Sequence, residues 1–281
     1  MVFSFSVLLG FILDVLLGGR APFRALYPRR AAELGGGRRG QSLLLCVLLP
    51  AAALLVLIWL YDRNRIAWFF VHALLCMLAF ETGAVCADAD TIARELLNSP
   101  AAARRALDRL TPYAQSAASH EIVRETIEVL AGRTIDAAAL PILSMLIGGA
   151  PLGLLCRGIC LLASPVPARR ITLARLVRFW PARLGAFFLT IASGMLRYDF
   201  NNGRRIYQRD RRNHADPETG QTLSVCAGAL HLRFTGKGGL PIGNVNRPVV
   251  RTDILRMRDL LVFSAWLMML AGCFLRILIF S

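Results

Sequence analysis

Two apolar runs constrain this chain more than anything else: Ser42–Tyr61 and Ile66–Cys86, with only Asp62–Arg65 between them. Each is close to the ~20 residues an α-helix needs to cross the hydrocarbon of a bilayer. Backbone groups there have no water to bond, so runs of this kind leave helices as almost the only solution. So short a turn makes the pair a helical hairpin across the membrane. His72 lies inside the second run and reads as a packed side chain. Glu81 lies near its end, within reach of headgroup water. Leu260–Phe280 reads as a further span, with Arg276 extending its head group to the far interface. Val2–Leu17 reads as a shorter, retained first span, because the N-terminus lacks a basic leader and a small-residue cleavage site. Asp14 near its end is a functional candidate or an interfacial anchor.

Composition agrees. The 281 residues are 56% hydrophobic with a mean hydropathy of +0.52, too apolar for a typical soluble domain. The net charge of +15 is carried by arginine, with Lys237 the single lysine. These arginines cluster between the apolar segments, as in cytoplasmic loops, so the basic balance points to anionic lipid and topology and not to nucleic acid. The seven cysteines have no zinc-site spacing and read as small buried hydrophobes. GGGRRG at 35–40 lacks the Lys-Ser/Thr of a phosphate loop, and the basic segment Gly18–Gln41 reads as a flexible loop.

The join between polar and apolar parts lies at His120–Gly153. Ser119 is placed to cap a helix whose face carries Glu121, Glu125 and Glu128; such a stripe holds a divalent cation or is a solvated face. Ala137–Ala163 is apolar but broken by Pro141, Gly148, Gly149 and Pro151. A full crossing would put the arginine-rich loop that follows (Arg169, Arg170, Arg175, Arg178, Arg183) on the wrong side. A re-entrant hairpin turning near Gly148–Pro151 is therefore expected. Pro181–Leu196 reads as a half-inserted or interfacial helix. The fold expected is all-α: a single polytopic membrane domain over residues 1–281 with about four transmembrane helices, near 2–17, 42–61, 66–86 and 260–280. The re-entrant hairpin and a helical cytosolic layer, drawn from 88–136 and 197–259, complete it.

Several segments then fall in a familiar order. FILDVLLGG with Pro22, EIVRETIE at 121–128, TID at 134–136, GGAPLGLLCR at 148–157, PARL at 181–184 and AGALHLRFTG at 227–236 resemble the CobD/CbiB family of cobalamin-assembly membrane proteins. The resemblance implies an amide ligation of adenosylcobyric acid with aminopropanol or its phosphate. It implies ATP and magnesium, a corrinoid substrate, and the cytosolic face of a bacterial inner membrane. Matched polar positions are Glu128 and Asp136, implied as catalytic and magnesium-binding, and Arg157 and Arg183, implied as phosphate-binding. Gly220 and Lys237, the latter in the glycine-rich TGKGGLPIG, join them as substrate-binding candidates.

Other motif positions depart from the family. Its Arg-Asp-Thr-Ser is Gln115–Ser119 here, its Ala-Glu-Asn is Ala131–Arg133, and its Asn-Thr-Leu-Asp is Cys160–Ala163. Its paired aspartates fall on Ala174 and Arg175, and its Ser-Pro-Asn-Ala-Gly is Asp216–Gly220. Asp216 and Glu218 are candidates to replace lost acids. The alternative is a non-catalytic scaffold or regulator, as the AmpE relatives of that superfamily suggest. It would need no cofactor, and Glu128 and Asp136 would pair with Arg157 and Arg183. Homo-oligomers or other cobalamin-assembly proteins are the partners either reading allows. A transporter is a weaker third class, because paired broken spans are not evident.

Overall fold

The computed structural model describes residues 2–17, 39–108, 110–111, 118–163, 171–244 and 247–280. The basic loop over 18–38, Gln115–Ala117, and Arg169 with Arg170 lie outside them. In order, the elements are α1 (Val2–Leu17), α2 (Arg39–Arg63), α3 (Arg65–Ala79), α4 (Thr82–Asn98), α5 (Pro100–Leu107) and α6 (Ser119–Arg133). A π-helical turn (Thr134–Ala139) leads into α7 (Leu140–Ala163), α8 (Ile171–Met195), α9 (Phe200–Asp210) and α10 (Pro217–Ala229). A two-stranded hairpin, β1 (Phe234–Thr235) and β2 (Pro241–Ile242), precedes α11 (Arg251–Phe280). The all-α expectation holds. Four helical stretches are long and apolar enough to cross a membrane: Cys46–Arg63, Arg65–Asn98, Ser119–Cys160 and Arg251–Ile279; Val2–Leu17 is apolar but shorter. The fold is that of a multi-pass membrane protein.

The residues group into two compact units. The first comprises Met1–Gly83, Asp136–Phe179 and Met269–Ser281. Within it α1 lies along α3, and α7 packs against both α2 and α3. Gly10 allows the first contact, since a Cβ there would stand 2.6 Å from the Ala73 carbonyl oxygen. The α2–α3 turn is tighter than expected. Asn64 alone separates the helices and caps α3 by accepting from the Ile66 and Ala67 amides. Leu55 and Trp59 of α2 are 69% and 64% exposed, an outward apolar face suited to lipid.

Two backbone interruptions shape this unit. The run expected to be one continuous span over 66–86 breaks at Phe80 and Glu81, where Phe80 is extended (φ −74°, ψ 153°). The second interruption is the expected reversal. Gly148 (φ −126°, ψ 16°) and Gly149 (φ 73°, ψ −169°) leave helical geometry. A Cβ on Gly153 would stand 2.7 Å from Cγ of Met145. Eight residues of straight helix span about 12 Å, so the two arms of α7 fold back on each other. His72 secures the tip. Its Nε2 accepts the Ala150 amide at 3.2 Å, and its Nδ1 meets Ser6 Oγ at 2.8 Å. The Ser6 hydroxyl proton goes to the Phe3 carbonyl at 2.7 Å, so Nδ1 is the protonated nitrogen. Trp68 stacks on the ring with centroids 4.9 Å apart.

The second unit comprises Ala84–Ile135 and Trp180–Met268. Its centre is α10, buried from Glu218 to Ala229 between α6 and α9. Gly228 lets α9 approach, as a Cβ there would meet the Asn202 carbonyl oxygen at 2.7 Å. Asp253, fully buried, caps α11 by accepting the Val250 amide at 3.0 Å and binds Arg247 at 2.7 Å. Expected boundaries shift in two places. The helix beginning at Ser119 has Ala118 as its cap, with no side-chain bond, and Pro181 sits inside the 25-residue α8 and does not begin a separate helix. A cap needs its side-chain oxygen beside the free amides, and Ser119 has already entered the helix.

Candidate functional site

In the second unit the site forms where α6 meets the start of α10. Asp216 and Pro217 define that start: Asp216 Oδ1 accepts the Glu218 amide at 3.3 Å, and Pro217 loses no hydrogen bond at the first helical position. Asp216 Oδ2 also accepts the Thr219 hydroxyl at 2.7 Å. The turn so fixed aims His214 at α6, where Nε2 lies 3.0 Å from Glu128 Oε1. On the other side of the ring, Nδ1 lies 3.0 Å from the Asp216 amide nitrogen and 2.9 Å from the Asp216 carbonyl oxygen.

This geometry serves both states of the imidazole. Neutral, Nδ1 accepts the Asp216 amide and Nε2–H donates to Glu128. Protonated, Nδ1–H donates to the Asp216 carbonyl and the bond to Glu128 becomes charge-assisted. Burial alone would lower the affinity of His214 for its proton. The bonds to Glu128 and the Asp216 carbonyl, with both carboxylate charges, outweigh it and raise the pKa above the ordinary 6.5. Glu128 is the outward member of the pair, 42% exposed against 12% for His214. A proton-accepting carboxylate with an imidazole behind it is what the arrangement provides.

Gly220 supports the pair by packing. A Cβ there would stand 2.7 Å from the Arg211 carbonyl oxygen and 3.0 Å from His214 Cβ. Two departures from the family pattern also meet here. Gly132 stands where the resemblance has Glu, Thr219 where it has Ala, and a Cβ on Gly132 would reach Thr219 Oγ1 at 3.2 Å. Gly132 thus leaves room for the Thr219 side chain on α10. Asp216 likewise replaces one good capping residue, Ser, by another.

The first unit holds a second polar cluster, at the α3–α4 break. Arg157 donates to the carbonyls of Leu78, Ala79 and Phe80 at 3.0, 2.8 and 2.9 Å and lies 3.5 Å from Glu81. Asp14 accepts the Gly83 amide at 3.0 Å, and Thr82 Oγ1 donates to the Ala137 carbonyl at 3.0 Å. The orphaned groups of both helix ends are thus satisfied by side chains. Asp136, on the π-turn, pairs with Arg178 at 2.8 Å.

Sequence-predicted residues therefore fall in both units. Asp136 and Arg157 belong to the first, and Glu128, Arg183, Gly220 and Lys237 to the second. Glu128 and Gly220 come together around His214; Arg183 is half-buried on α8, and Lys237 begins a short 3-10 turn between β1 and β2. The expected pairing of Glu128 and Asp136 with Arg157 and Arg183 gives way to Glu128–His214, Asp136–Arg178 and Glu81–Arg157. Among the described residues, no three His, Cys, Asp or Glu side chains are grouped to hold a metal. Glu128 faces an imidazole and Asp136 a guanidinium, so these carboxylates do not fit a resident magnesium ion. Two broken apolar helices exist, one at the expected Gly148–Gly149 reversal and one, unexpected, at Phe80–Glu81, and protein side chains cap both breaks. His214 was missed in the sequence, although its place just before an Asp-Pro helix start was a legible signal.

A family model described as CobD/Cbib protein matches residues 7–260. The chain belongs to the CobD/CbiB family. Relatives of this CobD/CbiB chain include a protein of Listeria monocytogenes serotype 4b (strain F2365) named "Cobalamin biosynthesis protein CobD". It is 30% identical over 232 residues, 72% of this chain and 71% of that protein. Proteins of the same name from Photorhabdus laumondii (29% identical over 57% of this chain and 56% of that protein) and Streptococcus sanguinis (33%, over 57% and 54%) are also similar. No solved structure matches.

Proposed function

We propose that this chain works in cobalamin biosynthesis at a bacterial inner membrane, ligating adenosylcobyric acid to aminopropanol or its phosphate with ATP as the energy source. The family match over residues 7–260 and relatives named for cobalamin biosynthesis support the pathway. The Glu128–His214 pair is the observation that carries the chemistry.

Amide formation from a carboxylate needs an activated acyl group and a neutral amine. Phosphoryl transfer from ATP gives an acyl phosphate and ADP. Attack by the amine then forms the C–N bond and breaks the C–O bond, releasing phosphate. An alkyl ammonium must first lose a proton, and Glu128, exposed on one side and held by His214 on the other, is the acceptor. Proton transfer of this kind contributes typically 10²–10⁴-fold. Arg183 and Lys237 are the cations assigned to phosphate groups, and Gly220 lets the His214 turn pack close to α10.

The test is turnover by the purified full chain in lipid nanodiscs with ATP, adenosylcobyric acid and the amine, read by mass spectrometry of the product. Glu128→Gln should lower kcat by about 10²-fold or more. Folded wild-type protein that forms no product, beside a Listeria relative active in the same assay, would overturn the ligase reading. The engagement of Arg157 and Asp136 with protein partners favours a second reading, a non-catalytic membrane scaffold. Under it no ATP is consumed, and the Glu128 variant loses stability only.

A further inference from the structure

A corner of the second unit, bordering the turn that begins at Lys237, carries charges that the proposed chemistry leaves unused. Helix α9 buries Gly203, Ile206 and Asp210 and turns Arg204, Arg205 and Arg209 outward. The chain continues into Arg211 and exposed Arg212. Arg209 is held by Asp210 at 2.6 Å. Arg204, Arg205 and Arg212 have no carboxylate partner among the described residues. Arg211 lies over the Tyr207 ring, 5.4 Å from its centroid.

The β1–β2 hairpin is fastened to the end of this helix. Asp210 accepts the Gly243 amide at 2.9 Å, Arg209 donates to the Gly243 carbonyl at 3.2 Å, and Asn213 donates to the Pro241 carbonyl at 3.1 Å. Phe234 and Ile242, paired across the strands, are buried beneath it. The connecting turn is exposed over Gly238–Leu240. Gly238 and Gly239 adopt φ of +64° and +79°, nothing lies within 4 Å of where their Cβ atoms would be, and Leu240 is 52% exposed. The chain has no acid between Glu218 and Asp253.

We propose that this corner docks on the anionic phospholipid headgroup layer, with Arg204, Arg205 and Arg212 binding lipid phosphates and Leu240 entering the interface beside them. Three observations select lipid over other polyanions. Unpartnered guanidiniums complement phosphodiesters and bind them bidentately. A half-exposed leucine on a glycine-formed turn gains by reaching the acyl boundary. A chain with four stretches able to cross a bilayer keeps headgroup phosphates permanently at high local concentration. The basic face stays occupied in this way whether or not the chain is a ligase.

Amide hydrogen exchange of the full chain tests it, in nanodiscs of phosphatidylcholine alone or with phosphatidylglycerol added. Peptides covering 200–212 and 234–242 should exchange more slowly with the anionic lipid, while those covering 119–133 stay unchanged. Each arginine near the surface is worth about a fivefold factor. The triple variant Arg204→Gln/Arg205→Gln/Arg212→Gln should abolish the protection, Leu240→Ser should weaken it, and high salt should remove it from wild type. Equal exchange in both nanodiscs would overturn the proposal. So would protection reproduced by inorganic phosphate or by a short RNA in the phosphatidylcholine discs, which would assign the face to a soluble anion or to nucleic acid.

Discussion

Replacing Arg157 by Met keeps most of the side-chain volume and removes one guanidinium. That group is 8% exposed and bonds three successive carbonyls at the end of α3, besides facing Glu81 at 3.5 Å. Each orphaned carbonyl in a dry setting costs about 1–3 kcal/mol, and stripping one partner from a buried ion pair costs about 3–5 kcal/mol. These penalties overlap, because relaxation at the break relieves several at once, so we expect a loss of about 4 kcal/mol in total. At roughly 2–4 °C per kcal/mol for chains of this size, the unfolding midpoint should fall by about 10 °C. The assay is thermal unfolding of the full chain in one fixed detergent, with Arg94→Met as the exposed control, expected to stay within about 0.5 kcal/mol. Adding Glu81→Gln to Arg157→Met should recover part of the loss, because the acid that faced the guanidinium no longer carries a charge. A fall no larger than that of Arg94→Met, or a Glu81→Gln effect that simply adds, would refute the reasoning.

The His214–Glu128 pair should make stability depend on pH. The pKa of His214 is raised in the folded chain, so its contribution is complete below about pH 6.5, the unfolded value, and is lost as pH rises through the folded value. Unfolding midpoints measured across that range should decline with pH in wild type, and Glu128→Gln should flatten the decline. Gly149→Ala tests the hairpin tip. The residue has φ of +73°, and its Cβ would stand 3.0 Å from His72 Nε2, so the loss should be about 2–3 kcal/mol. Gly238→Ala, with φ of +64° but open space, should lose only the conformational part, about 1 kcal/mol. Equal losses at the two glycines, read by the same unfolding assay, would contradict the packing of His72 against the tip.

Membrane character, the helical class and the reversal at Gly148–Gly149 could all be read from the chain, because apolar run length and a paired glycine are local properties. Helix starts at Asn64 and Asp216 are local in the same sense, since a cap bonds amides two or three residues on. Family membership was legible because several short motifs kept their order.

The partner of each charge was not local. Glu128 and His214 are 86 positions apart, and Arg157 reaches the end of α3 across 77 to 79. Which acid meets which base depends on how helices distant in sequence pack, and no periodicity encodes that. The break at Phe80–Glu81 shows the same division. Its residues look like part of an ordinary span, and the interruption is held by Arg157 on the α3 carbonyls, Asp14 on the Gly83 amide and the Ala137 carbonyl on the Glu81 amide, which supply bonds a continuous helix would have made for itself.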